Sequence, residues 1–267
     1  MDELIYYFVD DNELLELINS VSSYTMNDKS IFHKINSEPL YGLKRLTFWD
    51  TTKITTMEHM FNKKSTFNEL LLWNTVNVVD MVGMFSGASS FNQPLEFNTV
   101  NVDNMSWMFC NASSFNQSLE FNTKNVRYMC YMFDGASSFN QPLEFNTENV
   151  TDMAKMFCET SSFNQPLEFN TKNVVNMSGM FFRASLFNQP LEFNTDNVLY
   201  MAYMFCEASS FNQPLEFNTA RVADMARMFC DAISFNQPLE FNTQNVIDMS
   251  DMFNDSGMEI TPVWYNE

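Results

Sequence analysis

A phenylalanine recurs every 24 residues along most of this chain, and no other feature restricts its fold as tightly. Phe67, Phe91, Phe115, Phe139, Phe163, Phe187, Phe211 and Phe235 share one place in a repeat, here numbered position 1. From that residue the consensus reads F-N-Q-P-L-E-F-N-T-x-N-V-x-x-M-x-x-M-F-x-x-A-S-S. A degenerate first unit begins near Leu43 and is recognised by Trp49, Met57, Met60 and Phe61, so residues 43–258 hold nine units of 24. Self-similarity at this period marks an array in which one unit cannot bury its apolar face alone and must stack on its neighbours.

The period also explains an unusual composition, 28 Phe and 21 Met in 267 residues. Met stands at positions 15 and 18 of all nine units, from Met57 and Met60 to Met249 and Met252, which accounts for 18 of the 21. Positions 1, 7 and 19 take 24 of the 28 Phe. Each unit buries the same stripe.

Within a unit the hydrophobic period changes. Leu95, Glu96, Phe97 and Asn98 alternate apolar and polar, as a strand with one buried face does. Proline precedes this run in the typical units (Pro94, Pro142, Pro166), with Ser118 the exception. Lacking an N–H, it should mark the start of a strand only three or four residues long. Positions 12, 15, 18, 19 and 22 follow helical spacing, as in Val150, Met153, Met156, Phe157 and Thr160, which predicts a short helix or 3₁₀ segment. Asn149 and Asp152 are placed like an N-cap and its N3 partner, and Ser161-Ser162 would close the turn. Asn recurs at positions 2, 8 and 11 (Asn140, Asn146, Asn149). An amide both donates and accepts, so such columns are expected to bridge backbone groups of successive turns.

The ends depart from the pattern. Pro262-Val263-Trp264-Tyr265-Asn266 aligns with positions 4 to 8 and predicts a closing strand in a terminal half-coil, 259–267. Residues 1–42 lie outside the repeat. Leu4, Ile5, Phe8, Leu14, Leu15, Ile18 and Val21 predict one or two amphipathic helices capping the first unit, where an array would otherwise expose its core and an open edge.

The run L-x-F-N-T-x-N-V-x-x-M-x-x-M-F-x-x-A-S-S-F-N resembles the BspA-like leucine-rich repeats. It is most similar to the variant with NVxxMxxMF and SFNQ blocks, found in bacterial surface proteins, mollicute lipoprotein-associated proteins and some large DNA viruses. The match covers residues 43–265. It implies an α/β repeat solenoid: a leucine-rich-repeat-like right-handed coil with one short parallel strand and one short helix or 3₁₀ turn per unit. About ten strands would share one sheet. It also implies adhesion or protein binding. Phe97 and its equivalents stand where the family often has Trp, kept here at Trp49 and Trp73, and the chain shows no export signal. An intracellular protein of a large virus with an AT-rich genome would suit both departures.

Charge narrows the partner. The 33 acidic residues outnumber the 14 basic ones, for a formal net charge of -19, which disfavours nucleic-acid backbones and anionic membrane surfaces. A protein partner, a basic one on electrostatic grounds, is expected instead. No run approaches the roughly 20 apolar residues that span a bilayer. The N-terminal Met1-Asp2-Glu3-Leu4 lacks the basic start of a secretory signal. With five cysteines and no CxxC pair, these features point to an intracellular location, the host cytoplasm for a viral protein.

Two surfaces are candidates for binding. Position 6 is Glu in seven successive units: Glu96, Glu120, Glu144, Glu168, Glu192, Glu216 and Glu240. Set between buried Leu and Phe, these carboxylates should form an outward column, with parallel strands about 4.8 Å apart. Each adjacent pair repels by roughly 1 kcal/mol in water before salt screening. A cation or basic peptide would relieve this, although repeat duplication alone would also copy a tolerated residue. Position 6 turns apolar at the ends, in Phe48, Leu72 and Trp264, and the N-terminal cap is expected to fold over Phe48 and Leu72. The second surface is variable and aromatic: Trp107, Tyr128, Tyr131, Phe182, Tyr200 and Tyr203. Tyr128 with Tyr131, and Tyr200 with Tyr203, would share a helix face at i, i+3, and exposed aromatics are frequent at binding hot spots.

Little suggests chemistry. The Met-x-x-Met-Phe boxes read as core rather than as a copper(I) site. Cys110, Cys158, Cys206 and Cys230 share position 20, but only the last two are in adjacent units, too few for a thiolate metal site. His33 and His59 lack a catalytic partner, and no phosphate loop or nucleophile elbow is present. The expectation is a non-catalytic scaffold for protein–protein interaction, without cofactor or metal. A surface adhesin is the alternative, and a third option makes residues 1–42 an F-box-like adaptor through Leu14-Leu15-Glu16-Leu17-Ile18.

Overall fold

The computed structural model describes residues 51–265. The predicted N-terminal cap, and with it Phe48 and Trp49, lies outside the described residues. The nine units are called coils 1 to 9, starting at residues 43, 67, 91, 115, 139, 163, 187, 211 and 235.

The inward positions are those the repeat demanded. Val, Met, Met and Phe at positions 12, 15, 18 and 19 are fully buried in coils 2 to 8, as is Phe at position 1 in coils 3 to 9. Leu at position 5 and Phe at position 7 are buried, while Glu at 6 and Asn at 8 are exposed. Successive coils lie side by side in register. Rings at position 1 stack 5.7–6.0 Å apart from Phe67 to Phe235. Rings at position 19 run alongside, each 4.0–4.3 Å from the position 1 ring that follows it in the chain. Offset ring pairs contribute about 0.5–1.5 kcal/mol each beyond the area they bury.

The backbone between positions 12 and 22 departs from the expected helix. No helix occurs among the described residues. In coil 5 the N–H groups of Met156, Cys158 and Thr160 each donate to the carbonyl three residues back, at 3.2 Å. The alternate groups, on Met153, Lys155, Phe157 and Glu159, donate to Asn176, Ser178, Met180 and Phe182 of coil 6 at 2.7–3.0 Å. The segment is a run of overlapping β-turns whose spare N–H groups bind the next coil. Turns 15–18 and 19–22 carry positive φ at their third residue, as type II turns require. Positions 17 and 21 are left-handed in every coil, from His59 (φ 55°) and Lys63 (φ 60°) to Asp251 (φ 52°) and Asp255 (φ 51°). Four of the chain's six glycines, Gly83, Gly87, Gly135 and Gly179, occupy these two positions.

The expected N-cap pair is used differently. Asn149 Nδ2 donates to Lys124 O of the preceding coil at 2.9 Å, and Asp152 Oδ1 accepts from Ala154 N at 2.9 Å in a local turn. The parallel bridges follow the turn side as well. They join position 14 of each coil to the next, from Thr56–Asp80 to Asp224–Asp248, whereas the predicted strand side holds one bridge, Leu71–Leu95.

Side chains complete the inter-coil bonding. At position 2, each Asn Oδ1 accepts the next coil's Asn N–H at 2.9–3.0 Å. At position 11, each Asn Nδ2 reaches the preceding coil's carbonyl at 2.7–2.9 Å. Position 8 instead closes a local turn, as when Asn146 Oδ1 accepts from Glu148 N. Its carbonyl takes the inter-coil bond, from the buried Thr hydroxyl at position 9 of the coil before, at 2.9–3.1 Å from Thr75 to Thr219. Among the described residues no buried side-chain polar atom is left unsatisfied.

At the C-terminal end, residues 263–265 form no strand. Tyr265 N donates to Pro262 O at 2.9 Å in a turn, and Val263 is fully exposed. The turn brings Trp264 inward instead. Its ring stacks 5.9 Å from Phe241, its Nε1 donates to Leu239 O at 3.3 Å, and Tyr265 meets Phe253 edge-on at 5.0 Å.

Candidate functional site

All seven glutamates of position 6 are exposed on the side of the stack opposite the turns. The alternation that buries Leu95 and Phe97 forces Glu96 outward, and the repeat copies this geometry through Glu240. Among the described residues no Lys, Arg or His side chain forms an ion pair with any of them. Leu72, at the same position in coil 2, is 48% exposed, so the acidic line starts beside an apolar residue.

Carboxylates on the turn side are treated differently. Arg183 at position 21 lies between Glu159 and Glu207 of the flanking coils, at 2.9 and 2.8 Å. Arg127 pairs with Asp103 at 2.6 Å and Arg227 with Asp251 at 2.8 Å, each across one coil. Such exposed pairs contribute about 0–1 kcal/mol each, but they neutralise this side locally.

The variable aromatics resolve into columns rather than a helix face. Trp107 and Tyr131, at position 17 of coils 3 and 4, stack at 3.9 Å with an 8° interplanar angle, and Lys155 Nζ of coil 5 lies 5.4 Å from the Tyr131 centroid. Phe182 meets Tyr203 edge-on at 6.3 Å, with Arg183 over Phe182 at 4.7 Å and Arg227 over Tyr203 at 5.9 Å. Tyr128 and Tyr200 stand at position 14, where Arg127 lies 5.7 Å from the Tyr128 ring. No ring contact joins Tyr128 to Tyr131 or Tyr200 to Tyr203, and no helix places them on one face.

The sequence places four cysteines at position 20 but did not single out Asp134, which is half-buried among them. Asp134 occupies position 20 between Cys110 and Cys158, and Cys110 Sγ donates to Asp134 Oδ2 at 3.6 Å. Burial raises the Asp134 carboxyl above the ordinary carboxylate range. Burial, reinforced by Asp134, pushes the Cys110 thiol up to about 12. Cys206 is also pushed up to about 12, by burial and then by the neighbouring Cys230. These thiols stay protonated at neutral pH and are poor nucleophiles. Among the described residues no group of three His, Cys, Asp or Glu side chains converges as a metal site, and no helix is long and apolar enough to cross a membrane.

No curated protein and no solved structure matches the chain. One family matches repeatedly, over residues 27–143, 96–169, 120–192 and 167–261, overlapping spans that follow the internal repeat. The chain therefore belongs to the family described as "Mycoplasma protein of unknown function, DUF285".

Proposed function

We propose that this chain is a non-catalytic scaffold, a repeat solenoid related to the BspA-like leucine-rich repeats, that binds a basic protein segment along its acidic line. The observation that carries this reading is the contrast between the two sides of the stack. On the turn side, arginines neutralise carboxylates in neighbouring coils. On the other side, seven exposed carboxylates repeat in register without a basic partner among the described residues. At the spacing of adjacent coils each unscreened pair costs roughly 1 kcal/mol in water, and an incoming lysine or arginine offsets that cost. Regular spacing suits an extended segment laid across the coils, so that several weak contacts act together. The five free thiols support an intracellular setting.

The test is titration calorimetry with a lysine-rich peptide of roughly ten residues, at low and at physiological salt. A variant carrying Gln at all seven ladder positions is the comparison. Wild type should bind with an affinity that falls as salt rises, and the variant should lose at least about tenfold. Equal binding by both proteins would refute this site. The second reading places the partner on the turn side, favoured by the Trp107–Tyr131 stack, whose Trp107 is exposed. It predicts that Trp107→Ala, rather than the glutamate replacement, abolishes capture of the native partner.

A further inference from the structure

Position 20 holds the one contact between thiols in this chain, whose five cysteines all lie among the described residues. Cys206 and Cys230 occupy it in coils 7 and 8, and the Cys206 thiol donates to the Cys230 sulfur. The backbone holds the two together. Glu207 N donates to Cys230 O at 2.8 Å, and the preceding rings, Phe205 and Phe229, stack 5.6 Å apart at an interplanar angle of 8°. The coils are therefore in register where both side chains leave the backbone, and both cysteines are buried. The remaining thiols are kept apart. Cys110 and Cys158 flank Asp134 of coil 4, and Cys130 donates to Ser106 Oγ at 3.2 Å.

From this pair we infer a binding site for a soft monovalent cation, Cu(I), held between the sulfurs of Cys206 and Cys230. Ligand number and softness select the ion. A structural zinc site takes four ligands, and among the described residues no group of three His, Cys, Asp or Glu side chains converges. Cu(I) prefers thiolate sulfur, and its closed shell is satisfied by two such ligands on opposite sides of the ion. Two thiols, too few for zinc, are a full set for it. Cys230 Sγ also donates to Asp231 Oδ2 at 3.2 Å. That carboxylate is a hard donor suited to other ions, but it is exposed and gives the thiol protons a path to water. Loading breaks two S–H bonds and forms two S–Cu bonds, both protons leave to solvent, and the copper stays Cu(I). The site thereby gains one negative charge. Arg227 lies near enough to Cys230 to interact with its charge, and Arg183 neutralises the neighbouring Glu207 at 2.8 Å. Burial keeps both thiols protonated, which slows oxidation to a disulfide and leaves the pair available to a metal that displaces the protons. This inference is independent of the acidic line.

Anaerobic titration of the reduced full chain with Cu(I), in competition with a chromogenic Cu(I) chelator, tests the site. The chain should retain one equivalent. Even outer-shell partners of a metal are worth about 10–100-fold in affinity, so loss of a ligand in Cys206→Ser or Cys230→Ser should weaken retention by at least about a hundredfold. Cys110→Ser and Cys158→Ser should retain the ion. X-ray absorption of the loaded chain should show two sulfur neighbours around copper. Hydrogen exchange of the wild type should slow on loading at coils 7 and 8, a readout that stands even where a serine variant fails to fold. A chain that retains no Cu(I) overturns the inference. So does retention that survives both Cys206→Ser and Cys230→Ser, which would put copper on the methionine core, or copper with three or more sulfur neighbours, or protection that falls outside coils 7 and 8.

Discussion

Exchanging alanine for glycine at Asp231 reads out the backbone of the turn side directly. Asp231 stands at position 21 of coil 8 with φ 56°, its side chain exposed and its N–H donating to Asn254 O at 2.8 Å. In a helix, Gly is less stable than Ala by about 0.8–1 kcal/mol. In left-handed geometry the sign reverses, because a Cβ there costs roughly 1–2 kcal/mol that Gly avoids. The greater freedom of Gly in the unfolded chain takes back about 0.4–1 kcal/mol. Asp231→Gly should therefore exceed Asp231→Ala in stability by about 0.5–1 kcal/mol. Alanine is the proper reference, since both variants lose the carboxylate and its 3.2 Å contact with the Cys230 thiol. Ala220, whose φ is not positive, supplies the control: Ala220→Gly should lose about 0.5–1 kcal/mol. Urea denaturation measures both. In thermal melts 1 kcal/mol corresponds to about 2–4 °C for a chain of this size. If Asp231→Gly proved less stable than Asp231→Ala, the tandem-turn description would be wrong and a helix would return.

Two further outcomes follow from the packing and the thiols. Phe163→Ala removes a buried ring that stacks on Phe157 at 4.3 Å and on Phe139 and Phe187 at 6.0 Å, and should cost about 3–5 kcal/mol. Phe235→Ala, with rings only at Phe211 and Phe229, should cost less. Hydrogen exchange should then rise across coils 5 to 7 for Phe163→Ala and only near coil 9 for Phe235→Ala; identical exchange maps would contradict nearest-neighbour stacking. The Cys110 and Cys206 thiols are raised from an ordinary 9.0 to about 12 on folding, so the folded chain holds those protons more tightly than the unfolded one. Their contribution is complete below pH about 9 and is lost as pH rises towards 12. A Cys110→Ser, Cys206→Ser variant should lose stability less steeply than wild type over that window, and parallel curves would exclude the effect.

Much of this protein was legible before any coordinates. A strict 24-residue period with Met at 15 and 18 and Phe at 1, 7 and 19 specifies which side chains must meet, because identical coils can bury a stripe only against each other. Alternation in Leu95-Glu96-Phe97 likewise required an outward Glu96, and the copies through Glu240 follow. The columns of Asn at positions 2 and 11 were readable from the need to satisfy turn backbone. What failed was the helix. An inward set at 12, 15, 18, 19 and 22 is compatible with a helix and with tandem turns alike, since both return every third or fourth residue to the same side. The glycines at positions 17 and 21 were the available signal, diluted by fourteen other residue choices that accept positive φ in the same places.

By itself, then, the sequence determined the register, the buried stripe and the exposed acidic line, all of which follow from periodicity and transfer of apolar surface out of water. Only the tertiary structure decided where the alternate N–H groups donate, to acceptors 23 residues further on in the next coil rather than along a helix. That long-range acceptor sets the backbone of positions 15 to 21, because an N–H that donates to the next coil is not available to a helix.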